Sequence, residues 1–154
     1  MTKTLLTVLL LMVFAGAYPV SAQNKTQTPA VSAADVLRLI NEHRTGMGLE
    51  PLKMTEVISK AAEKHSHNMA SKKIPFGHDG FDARMAGLRK QIKNTDGWAE
   101  NVAYGAETAE AVVDMWLHSP GHKKNIEGNY NLTGLGIVKG ADGELYYTQI
   151  FVHD

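Results

Sequence analysis

The chain has 154 residues, a formal net charge of zero and no cysteine. Without cysteine the protein cannot be a disulfide-stapled scaffold, so a packed core must hold it together. The sequence has no basic stripe and no block of like charges, which argues against nucleic acid or an anionic membrane surface as a partner.

The amino terminus has the pattern of an export signal. Lys3 supplies a positive charge, residues 5–17 are apolar, and Val20-Ser21-Ala22 fits a cleavage site of the small-x-small type. The apolar run has 13 residues, fewer than the roughly 20 needed to cross a bilayer. A cleaved signal peptide is therefore favoured over the alternative, a retained amino-terminal anchor.

Three parts of the chain follow from this interpretation. We predict a signal peptide over residues 1–22, a flexible leader over residues 23–31 and one folded domain over residues 32–154. The product is expected to be a secreted, extracellular monomer, or a periplasmic one in a Gram-negative cell, without integral membrane association.

Helical periodicity runs through the first half of the domain. A capping-box pattern begins at Ser32, and the helix that it opens ends at Gly46. The spacing of apolar residues predicts further helices over residues 55–71 and 82–92, whereas residues 49–54 are expected to form a loop.

The second half mixes extended and helical patterns. Residues 97–105 are compatible with a short strand or an extended loop. A helix beginning near Thr108 carries an apolar stripe that includes Trp116, which we predict to be a core residue. Ser119 and Pro120 have the residue types of an N-cap and a first helical position, so another turn of helix is expected there.

Two strands are predicted at the end of the domain, over residues 132–138 and 145–152. The Asp142-Gly143 turn signal between them favours an antiparallel hairpin. The last strand is apolar or aromatic on both alternate faces, so it needs a covering layer on each side. The predicted fold class is α+β, with a sheet between helices.

Several short motifs carry a resemblance to a known family. In chain order they are Asn41-x-x-Arg44, Leu49-x-Pro51-Leu52, Ala61-Ala62-x-x-His65-Ser66, Phe76-Gly77-His78, Ala99-Glu100-Asn101-Val102-Ala103, Trp116-x-x-Ser119-Pro120-Gly121-His122 and Tyr147-Thr148-Gln149-x-Phe151. In this order they resemble the bacterial branch of the CAP superfamily, also called the SCP domain. The resemblance covers residues 33–152 and implies a three-layer α-β-α sandwich, with a small antiparallel sheet between helical layers and a cleft over the sheet.

The resemblance also implies a set of cleft residues. Many relatives carry two histidines and two glutamates there, which sometimes bind a divalent metal. His78 matches the first histidine and Glu100 the first glutamate. Ser119 stands where relatives have the second glutamate, and Tyr146 where they have the second histidine. His122 is inferred to face the same cleft.

Three roles are open for these side chains. His78, Glu100 and His122 form an acceptable ligand set for zinc or another divalent metal with one open position. The same groups can instead form a hydrogen-bonded structural network, or act in acid–base catalysis. Tyr146 and Gln149 are included among the cleft residues, although Gln149 is expected mainly to satisfy backbone groups of neighbouring loops.

Two further polar residues have structural explanations. His65 falls on the apolar face of the second helix, where a hydrogen-bonded core histidine is the favoured interpretation. Ser119 is most simply an N-cap, since a nucleophilic serine would need a positioned base and the neighbouring His118 leaves the helix on a different side.

The favoured function is a non-enzymatic extracellular binding or scaffold module whose cleft takes a small ligand, a lipid or a peptide. One alternative is a metal-dependent, peptidase-like hydrolase that uses His78, Glu100 and His122. Another is a structural interaction protein of the cell envelope. The change of two of the four family cleft positions counts against a catalytic mechanism shared by the whole family.

Overall fold

The computed structural model describes residues 31–154. The predicted signal peptide and all but the last residue of the predicted leader lie outside the described residues. The described helices are α1 (Ala33–Gly46), α2 (Glu56–Ala70), α3 (Phe81–Arg89), α4 (Ala109–Leu117) and α5 (Pro120–Ile126), and the strands are β1 (Lys53–Met54), β2 (Gly97–Tyr104), β3 (Leu132–Lys139) and β4 (Leu145–His153).

The sheet has the strand order β1-β3-β4-β2. Strand β4 pairs antiparallel with both β3 and β2, which confirms the predicted hairpin. Strand β1 corrects the prediction of a loop over residues 49–54, since it pairs parallel with β3 and makes the otherwise antiparallel sheet mixed. Two backbone hydrogen bonds hold β1 in place, from Lys53 N to Asn131 O and from Thr55 N to Thr133 O, both 2.9 Å. A strand of two residues is too short to show periodicity in a sequence.

Helices cover both faces of the sheet, as the three-layer prediction requires. Side chains alternate along each strand, so neighbouring residues point to opposite layers. Helices α2 and α3 pack on one face, named here the α2 face, together with Ile150 and Val152 of β4. Helices α1, α4 and α5 pack on the other, the α1 face, together with Tyr147 and Phe151.

The α1 face contains the larger apolar core. Trp116, Tyr147 and Phe151 are fully buried there, which confirms the prediction for Trp116. The rings of Trp116 and Tyr147 meet edge to face at 6.4 Å between centroids. The Trp116 indole donates to Val102 O at 3.3 Å, and the Tyr147 hydroxyl donates to Ala106 O at 2.7 Å. Burial raises the pKa of Tyr147 to about 12.

The α2 face is built on direct contact between a helix backbone and a strand. A Cβ atom on Gly134 would overlap the backbone of Ile58, and one on Gly136 would overlap the backbone of Ala62. Only glycine permits helix α2 to lie so close to β3. Beside this contact the Ser66 hydroxyl donates to Gly136 O at 2.9 Å.

A buried arginine joins the end of α1 to the loop between α5 and β3. Arg44 is 2% exposed, and burial lowers its pKa. Its guanidinium donates to the carbonyls of Glu50 (2.9 Å), Ile126 (2.6 Å), Gly128 (2.9 Å) and Tyr130 (3.0 Å). Four backbone acceptors thus satisfy a cation that the interior would otherwise exclude.

Candidate functional site

The site forms around β2, an edge strand of the sheet. Glu100 and Asn101 are neighbours on this strand, and their side chains serve opposite layers. Glu100 bonds to Arg84 of α3 on the α2 face, whereas Asn101 donates to His122 O of α5 at 3.1 Å on the α1 face. Because strand geometry separates adjacent side chains in this way, the one strand carries polar anchors for both layers.

The carboxylate of Glu100 is the centre of a polar cluster. Its side chain is 1% exposed. Arg84 donates to both oxygens, from Nε to Oε2 at 2.9 Å and from Nη2 to Oε1 at 2.7 Å. His78 Nδ1 lies 3.0 Å from Oε1. The bidentate arginine supplies the opposite charge that a buried carboxylate requires.

His65 belongs to the same cluster. Its side chain is fully buried, as predicted for a core histidine, and its Nε2 lies 2.8 Å from Gly77 O and 3.7 Å from Glu100 Oε1. Burial lowers the pKa of His65. A neutral ring that donates from Nε2 to Gly77 O leaves Nδ1 as a lone-pair acceptor. Its role therefore reaches beyond core packing, since it also holds the loop that carries His78.

His122 lies apart from the carboxylate. It is in the first turn of α5, on the opposite side of β2, and it is not among the groups that bond Glu100. Burial, and secondly the nearby His78, lower the pKa of His122. The structure thus joins His78 to Glu100 directly, whereas His122 lies near His78 without bonding to Glu100.

An apolar cleft of about 280 Å³ lies along the same edge strand. Its lining includes Phe76, Tyr104 and Met115, three large side chains that are 47%, 52% and 47% exposed. Ser119 and His122 complete the wall formed by α4 and α5. The Phe76 and Tyr104 rings meet edge to face at 5.0 Å. Because Phe76 is two residues from His78, the cleft and the polar cluster share one loop.

Tyr146 stands beside the cleft, in a separate hydrogen-bond network. Its ring stacks on Tyr104 at 5.9 Å between centroids. Its hydroxyl donates to Asp142 at 2.8 Å and accepts from Lys72. The bonds from Lys72 and Tyr146 lower the pKa of Asp142 to about 2. Where relatives are expected to have a histidine, this chain has an aromatic ring that supports the cleft wall.

Gln149 lies in the interior, away from the polar cluster. It is fully buried, and its Nε2 donates to Thr133 Oγ1 at 3.2 Å. Its Cα partner across the ladder is Asn101, so both side chains point to the α1 face, opposite Glu100. Gln149 therefore contributes to the packing of the α1 face. The residues that line the cleft come instead from β2, α4, α5 and the loop after α2.

The donor set does not fit a divalent metal as it stands. Within residues 31–154, no three histidine, cysteine, aspartate or glutamate side chains are arranged to hold a metal ion. Both oxygens of Glu100 already accept from Arg84, and a metal bound there would lie against a guanidinium cation. Metal binding by His78, Glu100 and His122 stays a prediction, which metal analysis of the purified protein decides.

The sequence analysis did not identify Arg84, the residue whose positive charge pairs with the Glu100 carboxylate. It sits in α3, a nine-residue helix without a motif of its own. A usable signal existed, because Glu100 lies among apolar residues and a carboxylate in such surroundings needs a cation. That requirement does not say which of the chain's arginines or lysines provides it.

The comparison with known families agrees with the fold and the motif order. The model of the cysteine-rich secretory protein family, CAP, matches residues 37–151. The chain belongs to this family, although it has no cysteine itself. Within residues 31–154, we find no helix long and apolar enough to cross a membrane.

Three bacterial proteins illustrate the similarity. The uncharacterised protein YkwD of Bacillus subtilis is 36% identical over 123 residues, which cover 76% of this chain and 45% of that protein. An extracellular SCP-domain protein of Bacillus anthracis has a TM-score of 0.67 at 25% identity, over 79% of this chain and 40% of that one. An outer surface protein of Borrelia burgdorferi has a TM-score of 0.64 at 20% identity, over 80% and 96%. The chain spans less than half the length of the curated relatives it matches.

Proposed function

We propose that this chain is a non-enzymatic extracellular binding module, and that its cleft along β2 receives an apolar or aromatic group of a small ligand, lipid or peptide. The main support for this proposal is that the side chains of Phe76, Tyr104 and Met115 are exposed around one cavity. Large apolar side chains that converge on a concave surface are typical of ligand sites, whereas single exposed ones need no explanation.

The volume of the cleft limits the size of the chemical group that it can bind. A cavity of about 280 Å³ is slightly smaller than the usual small-molecule site of roughly 300–1,000 Å³. It suits one ring or one branched side chain, with the remainder of the ligand outside. The neutral form of His122, favoured by its lowered pKa, offers that ligand one donor or acceptor at the wall.

The state of Glu100 supports binding over hydrolysis. A general base needs a free lone pair within reach of a water or substrate proton. Here the carboxylate is 1% exposed, and Arg84 and His78 engage its oxygens. A hydrolase of the predicted type would have to break this ion pair before each turnover, at the cost of a buried unpaired charge.

An extracellular location is part of the same proposal. It is supported by the predicted signal peptide and by the Bacillus anthracis relative, which is described as an extracellular protein. The lack of cysteine suits a domain whose stability does not depend on a redox environment.

The methyl group of Met115 provides a direct test. N-acetyl-tryptophanamide, a neutral aromatic probe, should shift the Met115 methyl resonance and leave that of Met47, which is exposed elsewhere, unchanged. Phe76→Ala should weaken the binding of this probe by about fivefold, because an aromatic contact contributes about 1 kcal/mol.

Two results would contradict the proposal. One is that aromatic and aliphatic probes shift Met47 as much as Met115, which would show unspecific contact. The other is peptide hydrolysis by the purified wild type that Glu100→Gln abolishes although the variant is folded at the assay temperature, which would make the site catalytic.

A further inference from the structure

The cleft along β2 lies against an open edge of the sheet. Strand β2 is the last strand in the order β1-β3-β4-β2, so it has a partner strand on one side only. Val102, Ala103 and Tyr104, three consecutive residues of β2, line the cleft. An edge strand presents backbone N–H and C=O groups that can pair with another extended chain. A ligand in the cleft therefore meets the backbone of β2 as well as its side chains.

The register of the β2–β4 ladder determines which backbone groups point outward. In an antiparallel pair, residues that exchange hydrogen bonds alternate with residues that do not. Gly105 N donates to Leu145 O at 3.0 Å, so the odd-numbered residues of β2 exchange their bonds with β4. The N–H and C=O groups of the even-numbered residues, Val102 and Tyr104 among them, therefore point away from β4.

Side chains of α4 and α5 cover part of this edge. Asn125 Nδ2 donates to Glu100 O at 3.3 Å. Trp116 Nε1 donates to Val102 O, also at 3.3 Å. Both bonds agree with the outward direction of the even-numbered residues. Within residues 31–154, no bond outside the ladder engages the N–H groups of Val102 and Tyr104 or the carbonyl of Tyr104. The open part of the edge is thus centred on Tyr104, which is 52% exposed.

The spacing and charge of these groups suit an uncharged extended chain. The outward N–H groups of Val102 and Tyr104 are two residues apart, which is about 6.8 Å along a strand. A single amide or carboxylate reaches only one of them, whereas the carbonyls on one side of an extended peptide recur at the same spacing. Among the described residues, the lining of the cleft includes no aspartate, glutamate, lysine or arginine that would select a charged ligand.

We infer that the ligand of the cleft is an extended peptide that adds to β2 as a short antiparallel strand opposite Tyr104. This inference rests on the proposed function, since it takes the same cleft and names its ligand class. The peptide residue opposite Tyr104 donates its N–H to Tyr104 O and accepts from Tyr104 N with its carbonyl. Because side chains alternate along a strand, this residue places its side chain on the Phe76 side of the edge, and the next residue places its own on the Met115 side.

A second copy of this chain is the other occupant that an edge strand can take. Its own β2 would bring Trp116 and Asn125 along the same edge, so two copies could pair only in the short stretch around Tyr104. A free peptide carries no helices beside its edge. It is therefore the occupant that fits the part of β2 that stays open.

Blocked tripeptides that differ in one methyl group test the backbone pairing. N-acetyl-Val-Trp-Val-amide should bind at least fivefold more tightly than N-acetyl-tryptophanamide, because it adds backbone and side-chain contacts. Methylation of the tryptophan N–H, which faces Tyr104 O, should weaken binding by about tenfold, the effect of one lost hydrogen bond. Methylation of the following N–H, which points to solvent, should change the affinity by less than twofold. Titrations followed by the Met115 methyl resonance measure these affinities.

Amide hydrogen exchange locates the peptide on the wild-type protein. The Tyr104 amide should exchange rapidly in the free protein and at least tenfold more slowly at saturating tripeptide. The Gly105 amide, which already bonds to Leu145 O, should exchange slowly in both states and serves as the internal control.

A proline substitution makes the matching change in the protein. Tyr104→Pro removes the outward N–H, and proline is tolerated at such positions of edge strands. Tyr104→Ala removes the same ring and keeps the N–H, so it is the matched control. The tripeptide should bind Tyr104→Pro about fivefold more weakly than Tyr104→Ala. Should Tyr104→Pro fail to fold, the methylated peptides and the exchange of the wild type still decide.

Three outcomes would overturn the inference. They are equal affinities of the two methylated tripeptides, unchanged exchange of the Tyr104 amide at saturating tripeptide, and protection of that amide that rises with protein concentration in the absence of peptide. The last of these would assign the edge to a second copy. In each case a Met115 shift caused by N-acetyl-tryptophanamide would leave the proposed function standing, so the two failures are distinguishable.

Discussion

The two faces of the sheet are packed by different means. On the α1 face, large side chains such as Trp116 and Phe151 fill the space between helix and strand. On the α2 face, the backbone of α2 lies directly against Gly134 and Gly136, and little room for side chains remains there. The titratable groups His65 and Glu100 lie on this second face.

The difference bears on how precisely each layer is positioned. Side chains can adjust their rotamers when a neighbour changes, so a layer that rests on them tolerates small shifts. Two backbones in contact have no such freedom. Because α2 is fixed in this way, His65 is held at a defined distance from Glu100, and the polar cluster has a rigid support on one side.

The largest effect is expected where the backbones touch. Gly136→Val places a branched side chain against the backbone of Ala62 and Glu63, and should lower the free energy of unfolding by more than about 5 kcal/mol, or prevent folding. Chemical denaturation measures this. Gly121→Ala, in open space on α5, should change stability by less than about 0.5 kcal/mol. Equal effects of the two substitutions would mean that α2 does not depend on the glycine contact.

The corresponding test on the α1 face removes a side chain. Trp116→Ala should lower the free energy of unfolding by about 3–5 kcal/mol, the usual cost of emptying a large aromatic site. Trp116→Phe keeps most of the side-chain volume and loses the hydrogen bond to Val102 O. This substitution should therefore lower the free energy of unfolding by only about 1 kcal/mol. An unchanged denaturation midpoint for Trp116→Ala would contradict its core position.

A double-mutant cycle tests the ion pair on the α2 face. Arg84→Met leaves the buried carboxylate of Glu100 without its cation and should cost about 3 kcal/mol. Glu100→Gln alone should be destabilising too, whereas the double variant should lose less than the sum of both. Additive losses, measured by denaturation of all four proteins, would show that the two side chains do not depend on each other.

The smallest effect is a pH dependence. Burial lowers the pKa of His65 below its ordinary 6.5, so below pH 6.5 the unfolded chain binds a proton that the folded protein does not. The free energy of unfolding should therefore fall as the pH decreases from 6.5 towards the folded pKa, with a slope of at most about 1.4 kcal/mol per pH unit for this one group. His122 contributes in the same direction.

A comparison of variants assigns this slope. His65→Gln should fold with a flatter stability profile between pH 7 and 5, roughly the range in which an unperturbed histidine titrates. His118→Gln, which alters an exposed histidine, should keep the slope of the wild type. Equal slopes for His65→Gln and the wild type would contradict the assignment of this pH dependence to His65.

Much of the fold was predictable because its signals are local. Helix α2 was predicted over 55–71 and is observed over Glu56–Ala70, since the apolar spacing continues over four turns. The hairpin of β3 and β4 followed from the Asp142-Gly143 turn signal between two predicted strands. Helix α3, predicted over 82–92, ends earlier, at Arg89.

The candidate site was predictable only in part, because its contacts are distant in sequence. The motif order placed His78 and Glu100 in one region, and they are bonded. Nothing local indicates that Arg84 of α3 reaches Glu100, or that His122 and Gln149 serve the opposite face. The pair Gly134 and Gly136, two residues apart on one strand face, was a signal of close backbone approach that could have been used.

The position of β4 in the sheet has a consequence for how the chain folds. This strand lies between β3 and β2 and pairs with both, yet it follows every other described element in sequence. Strand β2 forms its ladder only with β4. The four-stranded sheet cannot form while β4 is missing, because β2 and β3 are joined only through it. The preceding helices and strands therefore lack part of their tertiary contacts until β4 pairs. Such late, long-range pairing slows folding and keeps the chain open until its final strand is available.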